Sequence, residues 1–320
     1  MSREAPSISV VVCTLRRPAY LRKALAGLAE QTIGTERYEV LVIDNGPDAE
    51  TAQVVSEFAG APMPPRYLAE PNRGLSHARN RGWREARGMF VAYLDDDAVP
   101  DRAWLAQACA VLDEGDARLG MLGGQVVPIW EAARPAWLPE GLLGYLTMVD
   151  LGPGRMLVDS LSGIVGANMI VPRRLLEQLG GFSPRLGRKG RSLLSNEELL
   201  LKQQLSEAGH HAIYSAAVRV GHHVPRERLS RRWFMRRLYW QGRSDALVQQ
   251  IERPRSLPVR AVAAGRMGRE AFRWLWRWLA AGPRTPGKFE LLTTSLYNLG
   301  YAVGELSGSD ADGSRGGDRS

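Results

Sequence analysis

The sequence predicts an α/β fold with a doubly wound, mainly parallel sheet. Apolar runs of strand length alternate with helical patterns from residue 8 to about residue 115, and the connections are short. Polar side chains stand where three of these runs end. Strands that alternate with helices over short connections are typical of parallel sheets with right-handed crossovers. Such sheets bind ligands beyond the carboxyl ends of their strands.

Local patterns predict each element in turn. ISVVVCT (8–14) is a β-branched apolar run, which is typical of a strand buried on both faces. Pro18 suits the start of the helix that follows, because proline fits the first helical turn. The next elements are alternately strand and helix: YEVLVIDNG (38–46), AETAQVVSEFAG (49–60), PPRYLAEP (64–71), GLSHARNRGWREA (74–86) and MFVAYLDDD (89–97).

Changes in composition divide the chain. Strand-like runs mix with Pro- and Trp-rich segments in the middle of the sequence, and an Arg- and Trp-rich helical region follows. The last stretch is rich in Gly, Ser and Asp, which predicts disorder because it lacks the side chains of a core. The predicted parts are an α/β domain at 1–225 with halves at 1–120 and 121–225, a helical extension at 226–305 and a tail at 306–320.

Composition and charge narrow the class of protein. The chain has 320 residues, enough for a substantial core, and a net charge of +8. A basic protein can favour nucleic acid, anionic lipid or phosphorylated small molecules. The two cysteines, Cys13 and Cys109, are far apart, which argues against a disulfide framework or a zinc site. The sequence shows neither a signal-peptide pattern nor a spanning apolar run. We therefore expect a cytoplasmic protein, with attachment to the inner face of the membrane left open.

Three consecutive aspartates, Asp95 to Asp97, follow the apolar strand VAYL. Adjacent carboxylates repel one another, so a cation or full solvation must balance them. In an extended segment Asp95 and Asp97 would point to the same side and could bind one Mg²⁺ or Mn²⁺ ion. The alternative is a solvated acidic turn before the next helix. The position at a strand end favours the metal site.

Further polar residues stand at strand ends and at a helix start. Thr14 and Asp44 end two other predicted strands. Arg73, Arg79 and Arg81 surround the start of a helix, where they could bind a diphosphate or hold acidic neighbours. For Arg81 an ordinary basic helix face is a real alternative.

Two residue pairs later in the chain are candidates for catalysis or metal binding. Glu197 and Glu198 open a predicted helix, whose dipole favours carboxylates, and one that faces the cleft could be a general base. In VGHHVP, His222 or His223 could be a metal ligand beside the aspartates, although a lone histidine is more often structural.

The order of these segments resembles the family 2 glycosyltransferases, which have the GT-A fold. The resemblance covers roughly residues 7 to 225, and the ordered set is more specific than any single motif. The segments that carry it are SVVVCTLRRPAYLRKAL, EVLVIDNG, NRGLSHARNRG, FVAYLDDDAVPDRAWL, GANMIVPRRLLEQLGGF and SNEELLLKQQLSEAGH.

This resemblance implies a sugar-nucleotide donor and a divalent metal, Mn²⁺ or Mg²⁺. Residues 1–120 would be the nucleotide- and metal-binding half of the catalytic domain, and 121–225 the acceptor-side half. The residues implied to contact the nucleotide are Thr14, Arg16, Asp44, Arg73, Asp95 and Asp96. Those implied to hold the metal are Asp97, Asp95 and His222.

Glu198 matches the catalytic base of the family. Glu197 stays an alternative, because the chain has Asn-Glu-Glu where Gly-Glu-Asp is usual. The implied reaction is a single inverting displacement, in which the base takes the proton of an attacking acceptor hydroxyl and the metal neutralises the leaving diphosphate. Processive polymerases of this family carry Gln-x-x-Arg-Trp and spanning helices. LSRRW has Leu229 at the Gln position, so we expect transfer of one sugar.

Donor and acceptor are predicted only by class. Asp44 suits the N3–H of uracil, so UDP-sugars come first, and GDP- and dTDP-sugars stay open. We expect a saccharide, lipid-linked or small-molecule acceptor in polysaccharide or glycolipid assembly; decoration of a natural product or a protein is the alternative. A nucleotidyltransferase would carry a Gly-rich loop where CTLRRPAY stands. Carboxylates at strand ends argue against nucleic acid as a partner. A homodimer is left open.

The C-terminal helical region contains an unusual segment, GRMGREAFRWLWRWLAAG (265–282). A basic, Trp-rich helix can lie on an anionic membrane surface, and 226–282 is the candidate region. The alternative, slightly favoured, is that its apolar face packs on the catalytic domain or on another subunit, because apolar helix faces usually form core. One helical stripe is formed by Arg266, Arg269, Arg273 and Arg277, and the residues expected largely opposite it are Phe272, Leu275, Trp276 and Leu279.

Overall fold

The chain folds into two compact units. The computed structural model describes residues 6–158, 163–188, 190, 192–283 and 285–307. One unit, which we call the sheet unit, falls within Met1–Pro184 and Glu197–Leu229. The other, the helical unit, falls within Arg185–Asn196 and Ser230–Ser320. The predicted tail at 306–320 lies outside the described residues except for its first two, and the last helix includes Leu306.

The described part of the sheet unit contains one mixed sheet of nine strands. The strands are β1 (Ile8–Thr14), β2 (Tyr38–Asp44), β3 (Arg66–Ala69), β4 (Phe90–Asp95), β5 (Ala98–Pro100), β6 (Leu119–Trp130), β7 (Arg155–Val158), β8 (Met169–Pro172) and β9 (His211–Val224). Their order across the sheet is β3-β2-β1-β4-β8-β6-β9-β5, and β7 pairs with β9.

Helices connect these strands and form the helical unit. Those of the sheet unit are α1 (Pro18–Ala29), α2 (Ala49–Glu57), α3 (Leu75–Glu85), α4 (Trp104–Leu112), α5 (Arg173–Leu179) and α6 (Glu197–Glu207), with 3₁₀ helices at Glu140–Leu146 and Arg226–Leu229. Those of the helical unit are α7 (Arg231–Glu252), α8 (Leu257–Ala280) and α9 (Lys288–Leu306).

The first four strands give the sheet its parallel half. β1 pairs in parallel with both β2 and β4, and β2 pairs in parallel with β3. In this register Thr14 lies opposite Asp44, and Cys13 lies opposite Asp95. Three strands therefore end at one edge of the sheet, and each brings a polar side chain there. The predicted α/β class is confirmed.

Beyond β4 the sheet includes antiparallel pairs. β8 runs antiparallel to both β4 and β6, whereas β6 and β9 are parallel. The segment 89–97 was expected to be extended throughout, but β4 ends at Asp95 and residues 96 and 97 form a turn into β5. Because residues 96 and 97 are not extended, the alternation of an extended strand does not set the directions of these aspartates.

The core of the sheet unit comes from β-branched strands and amphipathic helices. Val10, Val12 and Leu41 have no exposed surface, and each such side chain contributes about 1.5–3 kcal/mol when removed from water. On α3, Gly82 lies so close to β1 that an added Cβ would be 2.3 Å from Cγ1 of Val11. Glycine at this position thus lets α3 pack directly against the strand that carries Thr14.

Close backbone contact also holds the helical unit together. A Cβ on Gly242 of α7 would lie 2.0 Å from the carbonyl oxygen of Tyr297, and one on Gly300 of α9 would lie 1.9 Å from that of Tyr239. The two helices therefore pack with their backbones in contact. Among the described helices of the whole chain, none combines the length and the hydropathy needed to cross a membrane.

Candidate functional site

The acidic turn after β4 is mostly buried. Asp96 and Asp97 are buried, and Asp95 is half-buried at the end of its strand. Buried carboxylates are costly unless cations and hydrogen-bond donors surround them. The neighbours of each aspartate therefore show what the turn is built to hold.

Asp96 is bound by residues that precede and begin α1. It accepts hydrogen bonds from Thr14 Oγ1 at 2.8 Å and from Arg17 Nη1 at 2.6 Å. Burial raises the pKa of Asp96 to about 7, with the charge of Asp97 adding to the rise and the Arg17 guanidinium opposing it. Two side chains predicted to contact a nucleotide, Thr14 and Asp96, therefore bind each other in this structure.

Asp97 sits among three cationic or hydrogen-bonding side chains. Its Oδ1 lies 3.2 Å from His222 Nε2, and its Oδ2 accepts from Arg17 Nη2 at 2.8 Å and Arg228 Nη2 at 3.1 Å. Burial alone would raise the pKa of Asp97, but His222 and the two guanidinium groups outweigh burial and hold this pKa well below its usual range. The carboxylate is therefore ionised in this structure.

Asp95, Asp97 and His222 form a cluster that fits a divalent cation. Each offers one ligand atom, and these atoms all lie within 4.8 Å of one another. Two carboxylates and an imidazole are a donor set that suits Mn²⁺ or Mg²⁺. The turn at residues 96 and 97 brings the two aspartates together, so the predicted convergence is found although the predicted extended backbone is wrong.

The two histidines have different partners. His222 is 1% exposed and faces Asp97, and its Nδ1 has no hydrogen-bond partner among the described residues. His223 Nδ1 lies 3.0 Å from Glu131 Oε1, and its ring meets that of Tyr20 edge-on. Consecutive side chains of a strand point to opposite faces, so of the two imidazole rings only that of His222 faces Asp97. His223 contacts the turn through its backbone N–H, which donates to the Asp97 carbonyl at 2.8 Å.

Arg79 connects the acidic turn to the helix that carries the predicted base. It is 3% exposed, and its Nη1 donates to Glu197 Oε1 at 2.6 Å. Its Nη2 lies 3.5 Å from Asp95 Oδ1. Since its guanidinium also lies over the rings of Tyr93 and Phe182, it is held by packing as well as by charge. Of the two roles predicted for Arg79, binding a diphosphate or holding acidic neighbours, this structure shows the second.

Glu197 and Glu198 differ in burial. The Glu197 side chain is 4% exposed and forms the ion pair with Arg79, whereas the Glu198 side chain is 24% exposed. Glu198 Oε2 lies 4.0 Å from Arg79 Nη1 and makes no hydrogen bond with the described residues. One turn further along α6, burial lowers the pKa of Lys202 to about 8, and the charge of Glu198 opposes this shift.

Asp44 lies at the end of β2 and is wholly buried. Its Oδ2 accepts from the Tyr67 hydroxyl at 2.9 Å and from the Asp48 backbone N–H at 3.2 Å. Its Oδ1 has no hydrogen-bond partner within the described chain. Burial raises the pKa of Asp44, and the Tyr67 hydrogen bond limits the rise. The carboxylate therefore keeps one acceptor atom unused by the protein.

The remaining predicted arginines lie on the surface. Arg16 is exposed with φ of 52°, and Arg73 is exposed in the loop before α3. Asn45 holds that loop against β2, because its Oδ1 accepts from the Gly74 N–H at 2.7 Å and its Nδ2 donates to the Asn72 carbonyl at 2.7 Å. Arg81 pairs with Glu85 at 3.0 Å, as an ordinary helix-face arginine does.

Arg17 and Arg228 are the residues at the turn that the sequence did not indicate. Arg17 stands beside Arg16 in LRRP, and the sequence offers no reason to choose between them. Arg228 is separated from Asp97 by 131 positions, so no local pattern relates the two. In the structure Arg17 is the residue just before α1, which brings it next to the end of β1.

The described residues thus form a mixed α/β sheet with buried acidic side chains at the ends of its parallel strands. The family model described as "Glycosyl transferase family 2" matches residues 9–179. The chain therefore belongs to glycosyl transferase family 2, and the predicted family is confirmed.

Named relatives are glycosyltransferases or proteins of polysaccharide synthesis. A glucosyl-dolichyl phosphate glucuronosyltransferase of Haloferax volcanii is 27% identical over 247 residues, which cover 76% of this chain and 78% of that protein. The succinoglycan biosynthesis protein ExoM of Rhizobium meliloti is 27% identical over 249 residues, which cover 76% of this chain and 75% of that protein.

Solved structures share the fold. The mannosyltransferase PcManGT from Pyrobaculum calidifontis, in complex with GDP-Man and Mn²⁺, aligns with a TM-score of 0.56 and 21% identity over 97% of this chain and 76% of that one. TarS of S. aureus, in complex with UDP, aligns with a TM-score of 0.55 and 16% identity over 93% of this chain and 90% of that one. At these identities the likeness establishes the fold.

Proposed function

We propose that this enzyme is a metal-dependent, inverting glycosyltransferase that moves one sugar from a nucleotide-diphosphate sugar to an acceptor hydroxyl. The observation that carries the proposal is the cluster of Asp95, Asp97 and His222 at the carboxyl edge of the parallel strands. Arg79 contacts Asp95 on one side and lies 4.0 Å from Glu198 on the other. A cation site and a carboxylate base thus share one neighbour.

A divalent cation would be held by Asp95, Asp97 and His222, and it would neutralise negative charge on the leaving diphosphate. The contacts of Asp97 support this assignment, because the carboxylate already attracts Arg17 and Arg228. These guanidinium groups lie at the same turn, so they are placed to bind diphosphate oxygens when they leave Asp97.

Glu198 is the proposed base. Its carboxylate is partly exposed and keeps an oxygen without a hydrogen bond among the described residues. Glu197 is buried in an ion pair with Arg79, so its carboxylate is less accessible to an acceptor than that of Glu198. Glu198 would take the proton of the acceptor hydroxyl as that oxygen attacks the anomeric carbon from the side opposite the diphosphate, which inverts the configuration.

The nucleotide is proposed to lie along the ends of β1 and β2. Asp44 Oδ1 is an unused acceptor that suits the N3–H of uracil, so UDP-sugars remain the first choice. Since Asp44 is wholly buried, the nucleobase of the donor reaches it only if Tyr67 or a neighbouring loop moves. Arg16 and Arg73 are exposed and stand a few residues after the ends of β1 and β3. Thr14 and Asp96 would give up the hydrogen bond between them and contact the ribose instead.

The acceptor is proposed to be a saccharide or a lipid-linked sugar in polysaccharide or glycolipid assembly. The names of two relatives support this class, since one acts on a glucosyl-dolichyl phosphate and the other belongs to succinoglycan biosynthesis. Transfer of one sugar fits the absence of the Gln of the polymerase motif at Leu229. The proposed acceptor-side region at 121–225 contains residues 159–162, which lie outside the described residues.

Calorimetric titration tests the donor and metal assignments. UDP, GDP and dTDP would each be added to the full chain with Mn²⁺ and with EDTA, in parallel with Asp97→Ala. We expect Mn²⁺-dependent binding of UDP that is lost in the variant. Asp113→Ala is the matched control, because Asp113 is an exposed aspartate that pairs with Arg37. The metal assignment is contradicted if the original chain binds nucleotide equally well with Mn²⁺ and with EDTA. It is also contradicted if Asp97→Ala binds nucleotide as well as the original chain does.

Kinetics of two isosteric variants test the base. Glu198→Gln should lower kcat about 10²–10⁴-fold and leave UDP binding unchanged, as expected for loss of general base catalysis. Glu197→Gln should instead lower stability, because it disturbs the buried pair with Arg79. If Glu198→Gln keeps its kcat and a folded Glu197→Gln loses it, the roles of the two residues are reversed. Anomeric configuration of the product, measured by NMR, tests inversion.

A further inference from the structure

Helix α8 of the helical unit exposes large apolar side chains in a row. Phe272, Trp276 and Leu279 are 68%, 64% and 59% exposed, and Val262 near the start of the helix is 73% exposed. Single exposed apolar residues are ordinary on protein surfaces. A row of them on one helix marks a contact surface.

The other side of α8 makes its contacts with α9. Ala264 and Ala271 are buried, and Ser295 Oγ of α9 donates to the Ala271 carbonyl at 2.7 Å. Small residues therefore lie in the packed face of the helix, whereas Phe272 and Trp276 lie outside it and Trp274 and Trp278 are half-buried. Within the described residues Phe272 and Trp276 are exposed, so the expectation that they pack on the catalytic domain is wrong, and packing on another subunit stays untested.

Arginines line the exposed row on one side. At about 100° per residue, Arg266, Arg269 and Arg273 lie beside Phe272 and Trp276 rather than opposite them. All three are exposed. Arg266 and Arg269 make no ion pair with the described residues, and Arg273 pairs only with Glu270 of its own helix. The exposed half of α8 is thus aromatic along one edge and cationic along the other.

Residues that follow the last described helix offer little with which to cover this surface. Residues 308–320 contain no apolar side chain larger than that of alanine. A second copy of the chain would be a poor partner. A symmetric contact through α8 would bring one row of arginines against the same row of the other copy.

We propose that α8 docks on the surface of an anionic phospholipid bilayer. The aromatic row enters the boundary between headgroups and acyl chains, and the arginine row binds lipid phosphates. The charge complementarity of the exposed arginines with anionic lipid selects this occupant. The inference goes beyond the proposed transferase reaction and does not depend on the identity of the donor.

Vesicle flotation of the full chain tests the inference. Vesicles of phosphatidylcholine alone are compared with vesicles that also contain phosphatidylglycerol. The variants are Phe272→Ser with Trp276→Ser, and Arg266→Gln with Arg269→Gln. The control is Leu157→Ser, because Leu157 is 67% exposed on β7 of the sheet unit. All three change exposed side chains, so each should fold.

We expect flotation with phosphatidylglycerol and not with phosphatidylcholine alone. Each double variant should weaken binding by about tenfold or more, the control should bind like the original chain, and added salt should weaken binding. Absence of flotation, or equal flotation of all variants, overturns the proposal. So does a dimer in sedimentation without vesicles that the aromatic double variant abolishes. Nucleotide titration should be unchanged in every variant, which separates this test from that of the proposed function.

Discussion

Arginines at the acidic turn of the sheet unit and on α8 of the helical unit have opposite surroundings. In the sheet unit, Arg79 is buried against Glu197, and Arg17 and Arg228 bind Asp97. In the helical unit, Arg266 and Arg269 stand in solvent. The same side chain therefore balances internal carboxylates in one region and presents charge outward in the other. A net charge of +8 is consequently a poor guide to where a polyanion binds.

The largest expected effect is on stability, and it comes from removing the buried ion pair of Arg79 with Glu197. Arg79→Met keeps the apolar stem near Tyr93 and Phe182 but leaves Glu197 as a buried charge. We expect the free energy of unfolding to fall by about 3–5 kcal/mol, the usual cost of breaking a buried pair. Urea denaturation measures the loss.

Two further variants make that result specific. Arg22→Ala removes an exposed bidentate pair with Glu57 and should change stability little, because exposed pairs contribute little. Arg79→Met with Glu197→Gln should recover part of the loss, since the unbalanced charge is gone. Equal losses for Arg79→Met and Arg22→Ala would mean that burial does not distinguish the two pairs.

The second prediction contrasts arginine with lysine in the same unit. Burial lowers the pKa of Lys202 from 10.5 to about 8. Between these values the unfolded chain binds a proton that the folded chain has released, so this residue makes stability rise with pH from about 8 to 10.5. Below about pH 8 both states are protonated, and the cost of burying the charge is fully present.

Lys202→Met should therefore raise stability at neutral pH by on the order of 2 kcal/mol. The difference between variant and original chain should shrink as pH rises towards 10. Urea denaturation at a series of pH values measures this difference and cancels titration of other groups. A difference that stays constant with pH would show that packing, rather than charge, sets the effect.

The third prediction concerns the affinity of the acidic turn for Mn²⁺ when one of its arginines is removed. Arg228→Gln removes one guanidinium from Asp97 and should tighten binding of Mn²⁺ alone by about tenfold, because one competing charge is lost. Electron paramagnetic resonance of free Mn²⁺ reports the affinity. Arg219→Gln is the control, since Arg219 faces Asp101 at 3.6 Å. Weaker Mn²⁺ binding by Arg228→Gln would mean that this arginine supports the cluster.

The smallest expected effect is on the stability of the helical unit. Phe272→Ser with Trp276→Ser should change the free energy of unfolding by no more than about 0.5 kcal/mol per site, because both side chains lie in solvent. Ala271→Leu on the packed side should cost about 1–3 kcal/mol by overpacking. The reverse order of effects would show that the aromatic side is the packed one.

The sequence predicted the parallel half of the sheet and the strand ends that meet there. Apolar β-branched runs and helical spacing are local signals, so β1, β2 and β4 were found close to their observed bounds. The short strands β5 and β7 were missed, because strands of this length carry little periodicity and depend on β9 for their pairing.

The parts that the sequence did not predict depend on long-range contacts. Arg228 reaches Asp97 only because β9 ends beside the acidic turn. On α8, helical spacing was expected to set the apolar stripe largely opposite the arginines, but the two stripes lie side by side, and the packed face is a different one. Ala264 and Ala271 make that face through close approach, and small side chains give a weak hydrophobic signal. The roles of Glu198, Asp44 and the other site residues stay predictions that the experiments above address.

The guanidinium groups on Asp97 have a practical consequence for ligand screening. A divalent metal that bound Asp97 would displace the guanidinium groups of Arg17 and Arg228. The folded state would then gain only the difference between the attraction of Asp97 for the metal and its attraction for these two groups. Removal of metal by chelators should accordingly leave the protein folded and easy to purify. Because stabilisation by a ligand follows its net affinity, this competition should weaken metal binding and reduce the shift in melting temperature together.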